Sequence, residues 1–327
     1  MAGIEIKKVE VDENGMRLDR WFKVHYPGLR FGALQKLLRS GQIRVDGGRV
    51  KADARLVMGQ FVRIPPLPID SKESLPITDK TFRGQDDETV LKKMLLYEDP
   101  KVFVFNKPAG LAVQGGSGLM RHMDSMLEVW RNKKGEKPRL VHRLDRETSG
   151  VLVVARSRGV AQALTAAFRA RETKKTYWAL VRGVPKKKQD KISTWMVKEI
   201  TTQGDKMHVC EHGEPDSHHA VSYYRILDTR GRTLSWLEME PYTGRTHQLR
   251  VHAAHMDHPI IGDTKYFFSD SNWTLPGGIQ NRLHLHARRI RIPHPSGGIL
   301  DIVAPLPPHM VQSFNLLSFN EKDAETE

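Results

Sequence analysis

Four short apolar runs set the strongest constraint on what this chain can fold into. VFVF at 102–105, VLVVA at 151–155, YWALV at 177–181 and LSWLEM at 234–239 are brief and rich in β-branched and aromatic residues, so they read as strands. From Val90 onward such runs alternate with short helices and turns, which defines the α+β class. One helix is well marked between Arg158 and Ala170, where Val160, Ala163, Leu164, Ala167 and Phe168 follow the three-four spacing of a packing face.

At 327 residues the chain has room for one sizeable core and a smaller unit. Residues 16 to 64 are densely basic and punctuated as a compact unit, with Leu34, Leu37 and Leu38 at helical spacing beside Lys36 and Arg39. In IRVDGGRV, Asp46-Gly47-Gly48 supplies a tight hairpin turn. Pro65, Pro66 and Pro68 end this unit, and the polar stretch to about Asp87 reads as a linker. The expected organisation is a small unit over 1–66, a linker over 67–89 and a main domain over 90–327. The acidic tail EKDAETE reads as a solvated end.

Lys and Arg number 52 against 38 Asp and Glu, a formal charge of +14, which favours an anionic partner such as nucleic acid or a membrane surface. No apolar run approaches the roughly 18 residues that span a bilayer. The start, MAGIEIKKVEVDENG, carries acidic residues where a signal peptide needs a continuous apolar stretch, so a cytosolic protein without a membrane partner is expected. The single cysteine, Cys210, forbids internal disulfides and multi-cysteine metal sites. HVCEHGEPDSHH gathers His208, Cys210, His212, His218 and His219, but the spacing matches no usual zinc pattern and the Gly-Pro-Asp content marks a loop, so no metal is expected.

Functional groups are densest in HRLDRETSGVLVVA, where Asp145 lies between Arg143 and Arg146 and the Ser149-Gly150 turn leads into a strand. Neighbouring arginines favour the ionised carboxylate, leaving it available as a nucleophile or base. Taken alone, RLDR reads more simply as a structural ion pair. In GRTHQLRVHAAH, Thr243 or Thr246 could cap a short helix carrying Arg245, His247, Arg250 and His252. Helix starts and arginine forks suit anions, although a basic surface helix would look the same. In KKTYWALV, Tyr177, Ala179 and Val181 share one strand face, where a lone tyrosine is usually core.

Together these segments resemble, in order, the motifs of the RluA-type pseudouridine synthases over most of residues 90 to 300. NKPAGLAVQGGSG is similar to the first motif, HRLDRETSG to the catalytic motif, KTYWALVRG to the tyrosine motif and GRTHQLRVH to the arginine motif, with GDTKY and LHLHARRIRIPHP similar to later segments. The N-terminal unit resembles the alpha-L RNA-binding module, with RLDRWF opening it and QKLLRSGQIRVDGGRV as its core. AVQGGSGL, with its paired glycines, is more similar to the C-type large-subunit rRNA enzymes than to the D-type.

The resemblance implies a pseudouridine synthase fold, with a mixed, largely antiparallel central sheet and flanking helices, behind a small alpha-L domain. It implies an isomerase for uridines of large-subunit (23S) ribosomal RNA, needing neither metal nor cofactor. By motif position Asp145 is the catalytic carboxylate, Arg245 pairs with it, Tyr177 stacks on the flipped base and Leu249 gives an apolar floor. A planar uracil needs an aromatic face, and a carboxylate enclosed with it needs a cation. Lys107, Arg143, Arg146 and His247 are expected to bind RNA at the catalytic groove, and Arg17, Lys36, Arg39 and Arg44 in the N-terminal module. A monomer is the default for an enzyme that docks on a large RNA. A D-type or tRNA-directed synthase, and a non-catalytic ribosome-assembly factor, stay open; against the last stands Asp145, a carboxylate where phosphates would be repelled.

Overall fold

The structure is a computed structural model of the full chain, and it describes residues 4–10, 13–26, 29, 31–67, 86–115, 121–132, 135–201, 204–267 and 275–324. Residues 68–85 of the expected linker, 116–119 of the paired-glycine phrase and 325–327 of the acidic tail lie outside them. The chain divides into two compact units, 1–77 with 128–138, and 78–127 with 139–327. That 128–138 groups with the N-terminal residues has no counterpart in the sequence reading.

In the first unit, β1 (Glu5–Lys8), α1 (Leu18–His25), α2 (Phe31–Arg39), β2 (Arg44–Val45) and β3 (Phe61–Ile64) follow one another, and the strands form a sheet in the order β1-β3-β2. Leu34, Leu37 and Leu38 are buried on α2, as their spacing predicts, with Trp21, Phe22, Ile43 and Val62 in the same core. Asp46 and Gly47 adopt positive φ, and Val45 and Gly48 exchange backbone hydrogen bonds of 3.1 and 2.9 Å around them. The partner of β2 in the sheet is nevertheless the more distant β3, so the local turn is right while the strand pairing is non-local.

The second unit runs α3 (Asp87–Met94), β4 (Leu95–Glu98), β5 (Val102–Lys107), α4 (Met123–Met126), β6 (Arg139–Leu140), β7 (Ser149–Ala155), α5 (Arg158–Arg169), β8 (Lys174–Arg182), β9 (Gln189–Thr201), β10 (Gly204–Cys210), β11 (His218–Arg230), β12 (Leu234–Pro241), α6 (Gln248–His255), β13 (Leu285–Pro293), β14 (Ile299–Val303) and α7 (Pro308–Leu317). Helix α3 starts inside the expected linker because Asp86 caps it, its carboxylate accepting from the Thr89 N–H at 2.8 Å. The strands form one sheet in the order β10-β9-β11-β12-β8-β13-β7-β5-β4, with β14 on β13 and β6 on β7. Among the named pairings only β7 with β13 is parallel, so the sheet is mixed and largely antiparallel, and the class is α+β.

All four apolar runs are strands. β7 is buried at every position, consistent with a central strand covered on both faces. Alternation splits β8: Ala179 and Val181 face Leu249 and Ala253 of α6, while Trp178 and Leu180 face Met310, Phe314 and Leu317 of α7. On α5, Val160, Leu164 and Ala167 are buried against the sheet and Ser157 caps the helix; Ala163, read as part of the stripe, turns to solvent. The tail is not wholly solvated, since Glu321 reaches Arg288 at 3.1 Å. No helix of the described residues is long and apolar enough to cross a membrane.

Candidate active site

A cavity of about 610 Å³ opens where the loop before β7, β8, α6 and the start of β13 converge, within the range of about 300–1,000 Å³ common for ligand sites. Asp145, Tyr177, Arg143, Arg245, His247 and Leu249 all line it, although they lie on three segments separated by up to a hundred residues.

Asp145 is set by a turn closed by the Thr148 N–H on its carbonyl at 3.1 Å. Ser149 and Gly150, read as a turn, are the first residues of β7 and lie beside His286 and Ala287 of β13. Gly150 has φ +114, and a Cβ there would lie 2.2 Å from the Ala287 carbonyl oxygen, so this approach of strands requires glycine. Ser149 Oγ meets His286 Nδ1 at 2.9 Å, fixing the same junction.

The Asp145 loop is clamped from the other side by NKPAG. Arg146 donates from Nε to the Gly110 carbonyl at 3.0 Å, and the Gly110 N–H donates to the Arg146 carbonyl at 2.9 Å. Lys107 is fully buried, and its Nζ donates to the carbonyls of Pro108, Leu111 and Arg146 at 3.0, 2.8 and 3.1 Å. This corrects the expectation for Lys107: an ammonium spent on three carbonyls inside the protein cannot reach a phosphate. Burial pushes it down to about 7, against the pull of Glu147 and Asp145. Arg146, tied to Gly110 and 3.5 Å from Glu147, does not line the cavity, whereas Arg143 does so and is exposed.

The expected Arg245–Asp145 pair is absent among the described residues. Arg245 lies in the exposed loop before α6, and its Nε donates to the His219 carbonyl at 3.2 Å. The arginine turned inward is Arg250, one helical turn further on. Its Nε and Nη2 donate to Asp263 Oδ2 and Oδ1, each at 2.7 Å, with the side chains 6% and 0% exposed. Burial disfavours the Arg250 charge, but Asp263, with a contribution from Asp145, more than reverses this and holds the guanidinium charged. Arg250 was visible as a helix residue in GRTHQLRVH, and GDTKY contained its partner; their meeting was not visible.

Neither Thr243 nor Thr246 caps α6. His247 is the N-cap, in left-handed backbone (φ 53), and the Gln248 side-chain oxygen accepts from Thr243 Oγ1 at 2.7 Å and the Arg245 N–H at 3.0 Å. The helix is buried nearly all round, so it is no basic surface helix. His252, named in the sequence as one of the residues this helix carries, is held between Thr194 Oγ1 and Ser222 Oγ, each 3.0 Å from a ring nitrogen. His247 Nδ1 lies 2.7 Å from Tyr266 Oη, and burial lowers the imidazole pKa against the opposing pull of Asp145.

Tyr177 is half-buried on the α6 face of β8, and burial, then the Asp145 charge, push its hydroxyl well above the usual tyrosine range. Leu249 is buried beside it, and Leu285 of β13, not singled out from sequence, completes the apolar wall. The site therefore sets a carboxylate beside an aromatic ring, two leucines and a buried arginine, a setting for a flat polar ring rather than for a metal. Among the described residues no group of three His, Cys, Asp or Glu could hold an ion. His212 and His219 lie against Trp195 at 4.5 and 5.3 Å, and His208 lies 3.7 Å from Glu199.

In the first unit Arg17 pairs with Asp19 at 2.6 Å, Lys36 and Arg39 are exposed on α2, and Arg44 donates to the carbonyls of Gly41 and Gly47 at 3.1 and 3.0 Å.

Residues 101–255 match the family model described as RNA pseudouridylate synthase. Ribosomal large subunit pseudouridine synthase C of Yersinia pestis is 34% identical over 305 residues, covering 93% of this chain and 92% of its own. RNA pseudouridine synthase 4, mitochondrial, of Arabidopsis thaliana is 34% identical over 386 residues, covering 95% and 81%. The solved structure of Human RNA Pseudouridylate Synthase Domain Containing 4 matches with a TM-score of 0.59 and 31% identity, covering 70% of this chain and 95% of that one. The chain belongs to the RNA pseudouridylate synthase family. It is an enzyme, an isomerase of uridine in RNA.

Proposed function

We propose that this protein converts specific uridines of large-subunit ribosomal RNA to pseudouridine, with Asp145 as the catalytic carboxylate. The observation that carries the reading is the convergence of Asp145, Tyr177 and Arg250 in one cavity beside Leu249 and Leu285. The reaction exchanges the nitrogen–carbon glycosidic bond of uridine for a carbon–carbon bond at constant composition. The ring carbon that rejoins the sugar gives up a proton and the released nitrogen gains one, so no redox partner is required. Tyr177 supplies a face for the detached base, Leu249 and Leu285 exclude water, and the buried Arg250 keeps Asp145 from being an uncompensated enclosed charge. The substrate is the ribosomal large subunit named in several relatives at about 34% identity over most of the chain.

A uridine inside folded RNA must be extruded, at a cost of a few kcal/mol that phosphate contacts offset. Arg143, Arg245 and His247, which line the cavity, supply such contacts in this reading, and the N-terminal module over 1–66 contributes Arg17, Lys36, Arg39 and Arg44. A linker from residue 67 to the Asp86 cap of α3 joins it to the synthase domain, and the enzyme works in the cytosol as a monomer.

Pseudouridine mapping of large-subunit rRNA from cells lacking the gene, complemented with intact protein or with Asp145→Asn, tests both parts. Specific pseudouridines should vanish and return only with the intact protein. Restoration by Asp145→Asn would remove Asp145 from its role; no loss in rRNA would redirect the search to transfer RNA.

A further inference from the structure

Among the described residues Lys175 is the one cavity-lining lysine, and its setting differs from that of the lysines around it. It lies on β8 two residues before Tyr177, so the two side chains leave the same face of the strand, roughly 7 Å apart along it. Its neighbour Lys174, pointing the other way, pairs with Glu240 at 2.9 Å, and Lys107 spends its ammonium on three carbonyls. Among the described residues the Lys175 Nζ has no hydrogen-bond acceptor and no carboxylate, although burial is deep enough to lower its pKa.

The groups nearest to it cannot compensate the charge. The His142 ring stacks on Phe168 at 4.8 Å and 30°, and its Nε2 accepts from the Val153 N–H at 2.9 Å, so it stays neutral. Arg143, Arg169 and Arg171, which also line the cavity, are cations at its exposed rim. The Asp145 charge acts on Lys107, Tyr177, His247 and Arg250, whereas burial alone acts on Lys175. A half-enclosed ammonium without an anion destabilises a fold, and such groups cluster where a ligand completes them.

We infer that Lys175 seats one backbone phosphate flanking the extruded uridine, anchoring the strand while the base lies against Tyr177. The inference rests on the cavity taking a uridine of RNA, whose only anionic groups are its phosphates. The rim arginines attract the strand at a distance, where salt screens them; Lys175 makes the short contact inside, where screening is weaker.

The test uses a synthetic stem-loop centred on a uridine that the intact protein modifies, made with ordinary linkages, with a neutral methylphosphonate on the 5′ side of the target, or with one on the 3′ side. Single-turnover rates, affinities and melting temperatures are measured for intact protein, Lys175→Met and Lys175→Arg. Lys175→Met should lower kcat/KM by ~10–100-fold, mainly through affinity, with Lys175→Arg recovering most of it. One of the two neutral linkages should slow the intact protein by a similar factor and add nothing to Lys175→Met, identifying the phosphate. Because a lone enclosed charge is removed, Lys175→Met should melt at or above the temperature of the intact protein. Losses that multiply, or an unimpaired Lys175→Met, overturn the inference while leaving the synthase reading intact. If the intact protein modifies no uridine in any RNA, the synthase reading fails and this inference with it. Should Lys175→Met not fold, Lys175→Gln carries the same cycle.

Discussion

Arg250 and Asp263 meet through two hydrogen bonds of 2.7 Å, with the arginine 6% and the aspartate 0% exposed, and the guanidinium feels the charge of Asp145. Removing either partner leaves the other buried and uncompensated. Arg250→Met or Asp263→Asn should cost about 3–5 kcal/mol of stability by denaturant titration. The double variant should recover much of the stability and none of the activity, separating the two contributions.

Gly262 fixes where Asp263 sits. Its φ is +73, and a Cβ would lie 1.9 Å from the Arg282 carbonyl oxygen, backbone that cannot step aside as a side chain would. Gly262→Ala should cost at least about 2 kcal/mol and impair catalysis through displacement of Asp263. A variant that melts and turns over normally would show the loop to be more accommodating than this geometry allows.

Tyr177 offers a ring and a hydroxyl, and the proposed stacking needs only the ring. Tyr177→Phe should keep most of the substrate affinity, while Tyr177→Ala should lose about 1–3 kcal/mol, as measured by equilibrium binding of a target stem-loop. Equal losses in both would mean that the hydroxyl, not the face, carries the contact.

The N-terminal unit should be acid-sensitive through Glu13. Burial raises this carboxyl, but His25, the Glu10 N–H at 2.8 Å and Trp21 Nε1 at 2.9 Å outweigh it and hold it at about 2. A carboxyl depressed in the folded state contributes stability above its unfolded pKa and loses it as pH falls through the folded value. The advantage of intact protein over Glu13→Gln, up to about 3 kcal/mol, should fade between pH ~5 and ~2 in melts recorded across that range.

Charge reversal at Lys36 and Arg39 should weaken rRNA binding and reduce its salt dependence, because each phosphate released from contact returns a counterion, with a slope change of about one per contact. Arg17→Ala should do less, since Arg17 is already paired with Asp19 at 2.6 Å. Filter binding at several salt concentrations distinguishes the two.

The sequence by itself determined what depends on local periodicity and chain order: the strands from VFVF to LSWLEM, the α5 stripe, the Asp46-Gly47 turn, and a motif order that set Asp145 beside a strand and Tyr177 within one. Tertiary structure alone decided which side chain of each motif faces the site. In GRTHQLRVH the motif points to Arg245, and only the burial of α6 against β8 and β12 turns Arg250 inward instead, onto an aspartate thirteen residues away. Lys107 looks like a phosphate ligand until the Asp145 loop folds over it, and Lys175 looks like an ordinary strand lysine until the cavity encloses it without a partner. A local pattern specifies that a residue has an inside and an outside; the segment packed against it, distant in sequence, decides which is which and whether a buried charge finds a counterpart.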